Sequence, residues 1–217
     1  MTHIADVPAA PSGAINGPAL PAAKRVFDVA LTLAALLALW PLLVLIALMI
    51  KATSPGPAFF VQTRIGLNGQ RFGMVKFRSM HVDAEARRAA LEAASDRDGL
   101  CFKLRDDPRV TPLGRFLRRA SLDELPQLFN VLWGDMSLVG PRPALPQEVA
   151  AYTADARGRL AVLPGITGVW QVSGRAEVSF EAMVAMDLAY ARGATLRGDL
   201  AILARTFGVV VSGRGAY

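Results

Sequence analysis

An uncharged apolar run near the start of the chain constrains the fold more than any other feature. The 22 residues from Val29 to Ile50 carry no charged side chain. As a straight helix they would extend about 33 Å, enough to cross the hydrocarbon core of a bilayer. No small-residue cleavage site follows the run, so we expect residues 26–50 to be retained as a membrane helix.

Two features bear on how this helix meets the membrane. Pro41 lies near its middle, where a proline removes a helical hydrogen bond and forces a kink. Both flanks are basic, with Lys24 and Arg25 before the run and Lys51 after it, and basic flanks favour the cytoplasmic side. A helix–break–helix that enters and leaves the membrane by one face would place both basic flanks on the cytoplasmic side. Hydropathy alone favours a single span, because membrane helices tolerate proline.

The charge of the chain is unevenly distributed along its 217 residues, which carry a net charge of +6 and a mean hydropathy of +0.34. Residues 51–119 hold 14 basic and 7 acidic side chains, whereas residues 120–217 hold 8 and 9. Such a basic segment can face anionic lipid, a phosphorylated substrate or nucleic acid. The single cysteine, Cys101, excludes an internal disulfide, and one cysteine with two histidines argues against a zinc site.

An acidic pair, Asp123 and Glu124, lies between arginines. Arg118 precedes the pair, and Arg142 follows it in a Gly-Pro-Arg-Pro turn. Acids among fixed cations suit phosphate chemistry, because a carboxylate can attack phosphorus or hold a metal while guanidinium groups neutralise phosphate oxygens.

The same residues have a structural interpretation. Ser121 and Glu124 have the spacing of a helix-capping box, which would use Glu124 for a backbone hydrogen bond. Pro126 argues against that box, because it falls where a helix already needs the backbone N–H. The helix can instead begin at Pro126 and end at Gly134, leaving both acids on the preceding turn.

We expect the rest of the chain to divide into a disordered tail over residues 1–23, a membrane segment over 24–51 and a catalytic domain over 52–217. Local patterns predict the following elements: a hairpin of strands 58–63 and 71–77, helices over 81–95 and 147–160, a strand over 169–172, and two helices capped by Ser179 and Thr195. Lys76 and Arg78 on the hairpin would usually form a solvated face. The glycine-rich turn beside Arg175 could bind phosphate through its backbone N–H groups, although it lacks P-loop spacing.

Taken together, seven blocks of sequence resemble one family, the bacterial sugar transferases. These are monotopic phosphoglycosyl transferases, also called polyprenyl-phosphate hexose-1-phosphate transferases. The blocks follow in the family's order over residues 24–217: K-R-x-F-D from Lys24, S-P-G-P from Ser54, K-F-R-S-M from Lys76, D-P-R-V-T from Asp107, S-L-D-E-L-P-Q from Ser121, G-D-M-S-L-V-G-P-R-P from Gly134 and P-G-I-T-G from Pro164.

The resemblance implies transfer of a sugar-1-phosphate from a UDP-sugar to undecaprenyl phosphate, with release of UMP. This reaction begins the synthesis of exopolysaccharide, capsule or O-antigen. It implies that Asp123 is the nucleophile, forming a covalent phosphosugar intermediate. Glu124 would be the second catalytic residue, which helps to place Mg²⁺ and assists proton or phosphate handling. The cations that the resemblance places near phosphate are Arg118, Arg142, Lys76 and Arg78. The V-S-G-R and G-A-Y segments resemble members that use galactose or glucose.

The resemblance also implies an α+β fold. A re-entrant helix broken at Pro41 would precede a compact, mostly helical cytosolic domain with a small β-hairpin and amphipathic surface helices. The protein would lie at the cytoplasmic face of the bacterial inner membrane, bound to lipid of that leaflet and not to nucleic acid; a homo-oligomer is compatible with this picture. Two positions depart from the family pattern: Trp40 replaces a frequent Ser or Thr before the proline, and Leu163 replaces a frequent cation before P-G-I-T-G.

Two other functions compete with this one. A glycosyltransferase that moves the sugar alone would release UDP rather than UMP. A membrane-anchored basic module that binds nucleic acid or acidic lipid would fit the net charge, but it would not require an acidic pair between arginines.

Overall fold

The computed structural model describes residues 22–87, 104, 106–174 and 178–212, and its described part is mostly helical with two small sheets. The mixed α and β class is as predicted. The helices are α1 (Ala22–Thr53), α2 (Pro112–Arg119), α3 (Gln127–Trp133), α4 (Pro146–Ala150), α5 (Ala154–Arg157), α6 (Val169–Ser173), α7 (Phe180–Gly193) and α8 (Leu196–Ser212). The strands are β1 (Phe59–Ile65), β2 (Arg71–Phe77), β3 (Ser137–Val139) and β4 (Gly165–Thr167).

The apolar run forms one helix, α1, of 32 residues. It is long and apolar enough to cross a membrane. The residues on both sides of Pro41 stay helical, so the predicted division into two helices separated by a break is not seen.

Both ends of α1 pack against the rest of the chain. At the N-terminal end, Lys24 is buried, and its ammonium lies 2.6 Å from the carboxylate of Asp199 on α8. At the C-terminal end, Ile46 and Ile50 join a buried cluster with Phe77 of β2. The opposite side of the helix is exposed, with Leu37 76% and Trp40 60% accessible. Both ends of the apolar helix therefore rest on one and the same domain.

The hairpin was predicted correctly. β1 pairs antiparallel with β2, and the register places Phe59 opposite Phe77 and Phe60 opposite Lys76. At its far end the hairpin continues into the Gly-Pro-Arg-Pro segment, because the N–H of Ile65 donates to the carbonyl of Ala144 at 2.9 Å. The hairpin is thereby joined to the turn that carries Arg142.

The strand predicted over residues 169–172 is wrong, because those residues form α6. The strand lies just before them, as β4, and pairs in parallel with β3. This pairing needs very close backbones: a Cβ at Gly165 would lie 2.1 Å from the backbone nitrogen of Gly140. Glycine, rather than β-branched residues, therefore decides where the second sheet forms.

Two predicted helices also differ from the structure. The helix over 147–160 is divided into α4, α5 and a 3₁₀ turn, because the Thr153 side chain caps a new helix through the N–H of Ala156. Of the helix over 81–95, residues 82–87 form turns, and the remainder lies outside the described residues. The caps at Ser179 and Thr195 are confirmed, since each hydroxyl accepts a backbone N–H three residues on.

The main core joins the elements that surround the acidic pair. It contains buried side chains from β2, α3, the α3–β3 loop, β3, α7 and α8: Met74, Leu128, Val131, Met136, Leu138, Val139, Tyr190 and Ile202. Because β2 bears Lys76 and α3 follows the acids directly, this core fixes the two sides of the site relative to each other.

Candidate active site

Asp123 and Glu124 lie on a single 3₁₀ turn, Leu122–Glu124, and α3 begins after Pro126. The capping-box interpretation is wrong, because Ser121 makes no capping hydrogen bond and has a left-handed backbone with φ 54°. A non-glycine residue in that region stores strain, a feature that concentrates at functional sites. Of the two alternatives, the helix that begins at Pro126 is confirmed, and both carboxylates are left free of capping.

Lys76 connects the hairpin to the acidic pair. Its ammonium donates to Oε1 of Glu124 at 2.8 Å. Burial opposes ionisation of Glu124, but the cation of Lys76, with smaller contributions from Arg142 and Arg64, outweighs it and holds the pKa of Glu124 below its ordinary value. Glu124 is therefore ionised near neutral pH, with an oxygen available to a further cation.

Asp123 behaves differently from its neighbour. The residue is only 8% exposed. Burial raises the pKa of Asp123 to about 6; Lys76 opposes this rise and the charge of Glu124 adds to it. Two adjacent acids whose pKa values are displaced in opposite directions are suited to distinct chemical roles. Asp123 is a poorly solvated carboxylate, which is the state that favours nucleophilic attack.

Arginines line the same cavity as the acids. Arg118 and Arg142, both predicted, are brought to its wall. The side chain of Arg142 is 35% exposed and lies 4.0 Å from the buried carboxylate of Glu148. The structure therefore gathers Lys76, Arg118 and Arg142 around the acidic pair, an arrangement suited to phosphate oxygens.

Arg64 is a cation of the site that was not among the predicted residues. It is buried, lines the cavity, and donates from Nη1 to the carbonyl of Pro143 at 2.9 Å. A signal was available in the two-residue period of β1, because Phe60, Gln62 and Arg64 share the face that carries Lys76 across the hairpin.

Arg78 has a different environment from the one predicted. It lies on the cavity wall, but its guanidinium donates to the Ser54 hydroxyl at 2.7 Å, to the Ser54 carbonyl at 3.0 Å, and to the carbonyl of Pro55. These bonds fasten the Ser-Pro-Gly-Pro turn beside the end of α1. Arg175, the remaining predicted cation, lies outside the described residues.

The cavity has a volume of about 720 Å³. Apart from the acids and their cations, its walls include apolar side chains at the start of β1 and others from β4, α6 and α8: Pro57, Phe59, Phe60, Ile166, Trp170, Val172 and Val209. It can therefore hold a charged group at the acidic pair together with apolar groups beside it.

Comparisons with known proteins agree with this geometry. The family model described as "Bacterial sugar transferase" matches residues 20–213. The chain is 43% identical over 200 residues to the exopolysaccharide production protein ExoY of Sinorhizobium fredii, covering 89% of this chain and 88% of that protein. It is 44% identical over 202 residues to the undecaprenyl-phosphate galactose phosphotransferase of Salmonella typhimurium, covering 89% of this chain.

A third relative is the undecaprenyl-phosphate glucose phosphotransferase of Komagataeibacter xylinus, 43% identical over 209 residues and 89% of this chain. The chain spans 41% of the length of the Salmonella protein and 37% of the Komagataeibacter protein. The match covers α1, the acidic pair and every cation described above. The chain belongs to the bacterial sugar transferase family.

Proposed function

We propose that this protein transfers a sugar-1-phosphate from a UDP-sugar to undecaprenyl phosphate and releases UMP. The observation that carries the proposal is the buried carboxylate of Asp123, held beside a Lys76–Glu124 ion pair in a cationic cavity. The names of the Salmonella and Komagataeibacter relatives support undecaprenyl phosphate as the acceptor and a hexose phosphate as the transferred group.

In the first step, a carboxylate oxygen of Asp123 attacks the phosphorus that bears the sugar. The bond from this phosphorus to the bridging oxygen breaks, and its electron pair leaves with UMP. The product is a sugar phosphate joined to Asp123 as a mixed anhydride. Burial of Asp123 supports this role, because a carboxylate with few water partners is a stronger nucleophile.

In the second step, an oxygen of undecaprenyl phosphate attacks the same phosphorus. The bond to Asp123 breaks, the carboxylate is regenerated, and the lipid diphosphate sugar leaves. Lys76, Arg118 and Arg142 neutralise the phosphate oxygens in both steps, which is the main requirement of phosphoryl transfer.

We propose Mg²⁺ as the cofactor, with Glu124 as its protein ligand. Among the described residues no group of three or more His, Cys, Asp or Glu side chains could hold a metal by itself. This donor set fits magnesium, which binds through one or two carboxylates together with substrate phosphates and waters. When bound, the ion would neutralise charge on the diphosphate and on the leaving UMP.

We further propose that both ends of α1 lie at the cytoplasmic face of the inner membrane. Its two ends contact a single domain, which supports entry and exit on one side. Basic residues flank both ends, which supports a cytoplasmic location. The ends can be tested with single cysteines before residue 24 and after residue 53 in a Cys101→Ser background. In intact cells, an impermeant maleimide should label neither; labelling of one end would show a full span.

The reaction is tested by measuring nucleotide release from a panel of UDP-sugars with Mg²⁺ in detergent, with and without undecaprenyl phosphate. UMP from UDP-galactose or UDP-glucose is expected, with multiple turnovers only when the lipid is present. Asp123→Asn should abolish release while remaining folded. Release of UDP would instead identify a transferase that moves the sugar alone, and full activity of Asp123→Asn would exclude the covalent mechanism.

A further inference from the structure

Two adjacent phenylalanines begin β1 and line the cavity that holds the acidic pair. Phe59 is 45% exposed and Phe60 is 42% exposed. Leaving two large aromatic side chains in contact with water is unfavourable, and an apolar surface at the mouth of a charged cavity is typical of a ligand site. We refer to these two residues as the aromatic strip.

One end of the aromatic strip lies next to the chemistry. Phe60 is paired across the hairpin with Lys76, so their side chains share one face of the sheet. The ammonium of Lys76 lies 2.8 Å from Glu124. Phe60 is therefore only one side chain away from the acidic pair.

The other end of the aromatic strip leads to the membrane helix. Phe59 is paired with Phe77, and their rings stack with centroids 5.2 Å apart and planes inclined by 19°. Phe77 is buried in one cluster with Ile46 and Ile50 of α1. Phe59 and Phe60 lie on opposite faces of the hairpin, because successive side chains of a strand alternate. The apolar surface therefore runs from the C-terminal half of α1 through Phe77 and Phe59, and passes around the edge of β1 to Phe60; both phenylalanines line the cavity.

We infer that the aromatic strip binds the polyprenyl chain of the acceptor next to its phosphate. This inference rests on the proposed function, because it assigns a place to the second substrate of that reaction. A UDP-sugar has no apolar chain, whereas a polyprenyl phosphate must bring its phosphate to Asp123 while its tail stays in the bilayer. The strip offers the tail an apolar path from Lys76 to α1.

The experiment compares Phe60→Ala with Val61→Ala. Val61 is the next residue of β1, is 59% exposed, and does not line the cavity. For each variant we would measure the single burst of UMP from the UDP-sugar alone, then the KM for undecaprenyl phosphate and for butyl phosphate at saturating UDP-sugar. The burst involves only the UDP-sugar, so it shows whether a variant alters the step carried out by Asp123. The KM for undecaprenyl phosphate shows whether the variant alters binding of the acceptor.

With Phe60→Ala we expect an unchanged burst and a KM for undecaprenyl phosphate raised about tenfold, as expected for loss of part of an apolar contact. The KM for butyl phosphate, which has no long chain, should change less than about twofold by the same reasoning. Phe60→Leu should restore most of the affinity, and Val61→Ala should behave as wild type.

Three results would overturn the inference. One is an unchanged KM for undecaprenyl phosphate in Phe60→Ala. Another is a Phe60→Ala variant in which the UMP burst and the use of undecaprenyl phosphate are reduced equally, which would show a structural role for Phe60. The last is the absence of any UMP from the wild-type protein, which would remove the proposed function itself and the acceptor site with it.

Discussion

The side-chain oxygen of Asn130 accepts a hydrogen bond at 3.0 Å from the backbone N–H of Val75, the residue before Lys76. The amide nitrogen of the same side chain donates to the carbonyl of Gly73 at 2.8 Å. Asn130 is fully buried on α3, the helix that follows the acidic pair. A single amide thus fastens the strand bearing Lys76 to the helix that positions Glu124.

Replacing Asn130 should therefore loosen both sides of the site. Asn130→Leu removes the partner of the Val75 N–H and of the Gly73 carbonyl, two partly buried hydrogen bonds whose loss costs about 0.5–1.5 kcal/mol each. We expect a lower melting temperature in detergent together with reduced UMP release. Gln70→Ala, which removes an exposed amide at the hairpin turn, is the matched control. Equal melting temperatures for Asn130→Leu and wild type would contradict this role.

The raised pKa of Asp123 predicts a pH dependence of the first step. Burial raises this pKa to about 6, and only the ionised carboxylate can attack phosphorus. The rate of the UMP burst should therefore fall as the pH drops through about 6, with the pH dependence expected for the binding of a single proton. Rapid-quench measurements from pH 5 to 8 test this. We call this fall in rate at low pH the acid limb of the profile. An acid limb near pH 4 would show that Asp123 is solvated or is not the nucleophile.

The same shift predicts that Asp123 destabilises the native state at neutral pH. Because the native pKa is above the ordinary value of 3.8, the folded protein binds the proton more tightly, and stability from this residue decreases as the pH rises from about 4 to 6. Asp123→Asn should melt at a higher temperature than wild type at pH 8, by an amount equivalent to at most about 3 kcal/mol. The difference should shrink when the pH is lowered below 6. A lower melting temperature for Asp123→Asn than for wild type at pH 8 would refute this prediction.

The charge of Lys76 should determine the pH at which the UMP burst begins to slow. Its positive charge lowers the pKa of Asp123 against the effect of burial. Lys76→Met should consequently move the acid limb of the UMP burst to higher pH and lower its plateau, whereas Lys76→Arg should keep the limb near its wild-type position. The two pH profiles, recorded side by side, provide the check. An identical limb in Lys76→Met would mean that this ammonium does not act on Asp123.

The buried ion pair of Lys24 and Asp199 should stabilise the attachment of α1. Lys24 also donates to the carbonyl of Val139 at 3.3 Å, and Asp199 accepts from the Tyr190 hydroxyl at 2.8 Å. Lys24→Met leaves a buried carboxylate without its cation, which typically costs 3–5 kcal/mol. The double variant Lys24→Met with Asp199→Asn should recover part of this loss. Melting curves in detergent should rank wild type first, the double variant second and the single variant last; any other order counts against the pairing.

Local sequence was sufficient for the hairpin and for the start of α3. The period of two in β1 and β2, and the absence of an N–H at Pro126, act over a few residues and are visible in the sequence. The acidic pair and its neighbouring arginines were predicted for the same reason. Local patterns failed at β4, where the strand depends on the approach of Gly165 to Gly140 from another part of the chain.

The environment of the charged residues could not be predicted from sequence spacing. Asp28, just before the uncharged run, is buried, lies 3.8 Å from the ammonium of Lys24 and accepts a hydrogen bond from Ser137 at 2.7 Å. Arg64 and Arg78 are equally basic in the sequence, but one holds the Gly-Pro-Arg-Pro segment and the other the Ser-Pro-Gly-Pro turn. Only the tertiary fold decides which cation is left for a substrate.

The attachment of α1 at both ends has a consequence for how such a protein can be altered or exchanged. An anchor on a loose tether can be swapped for another, whereas α1 is matched to distant partners: Arg25 donates to the carbonyls of Val131 and Leu132 at the end of α3, and Lys24 reaches a carboxylate 175 positions away. Deleting the first 51 residues would uncover the apolar surface around Phe77 rather than release a soluble enzyme. A chimaera that borrows α1 from a relative would need the matching α3 and α8, so α1 and the domain should be exchanged together.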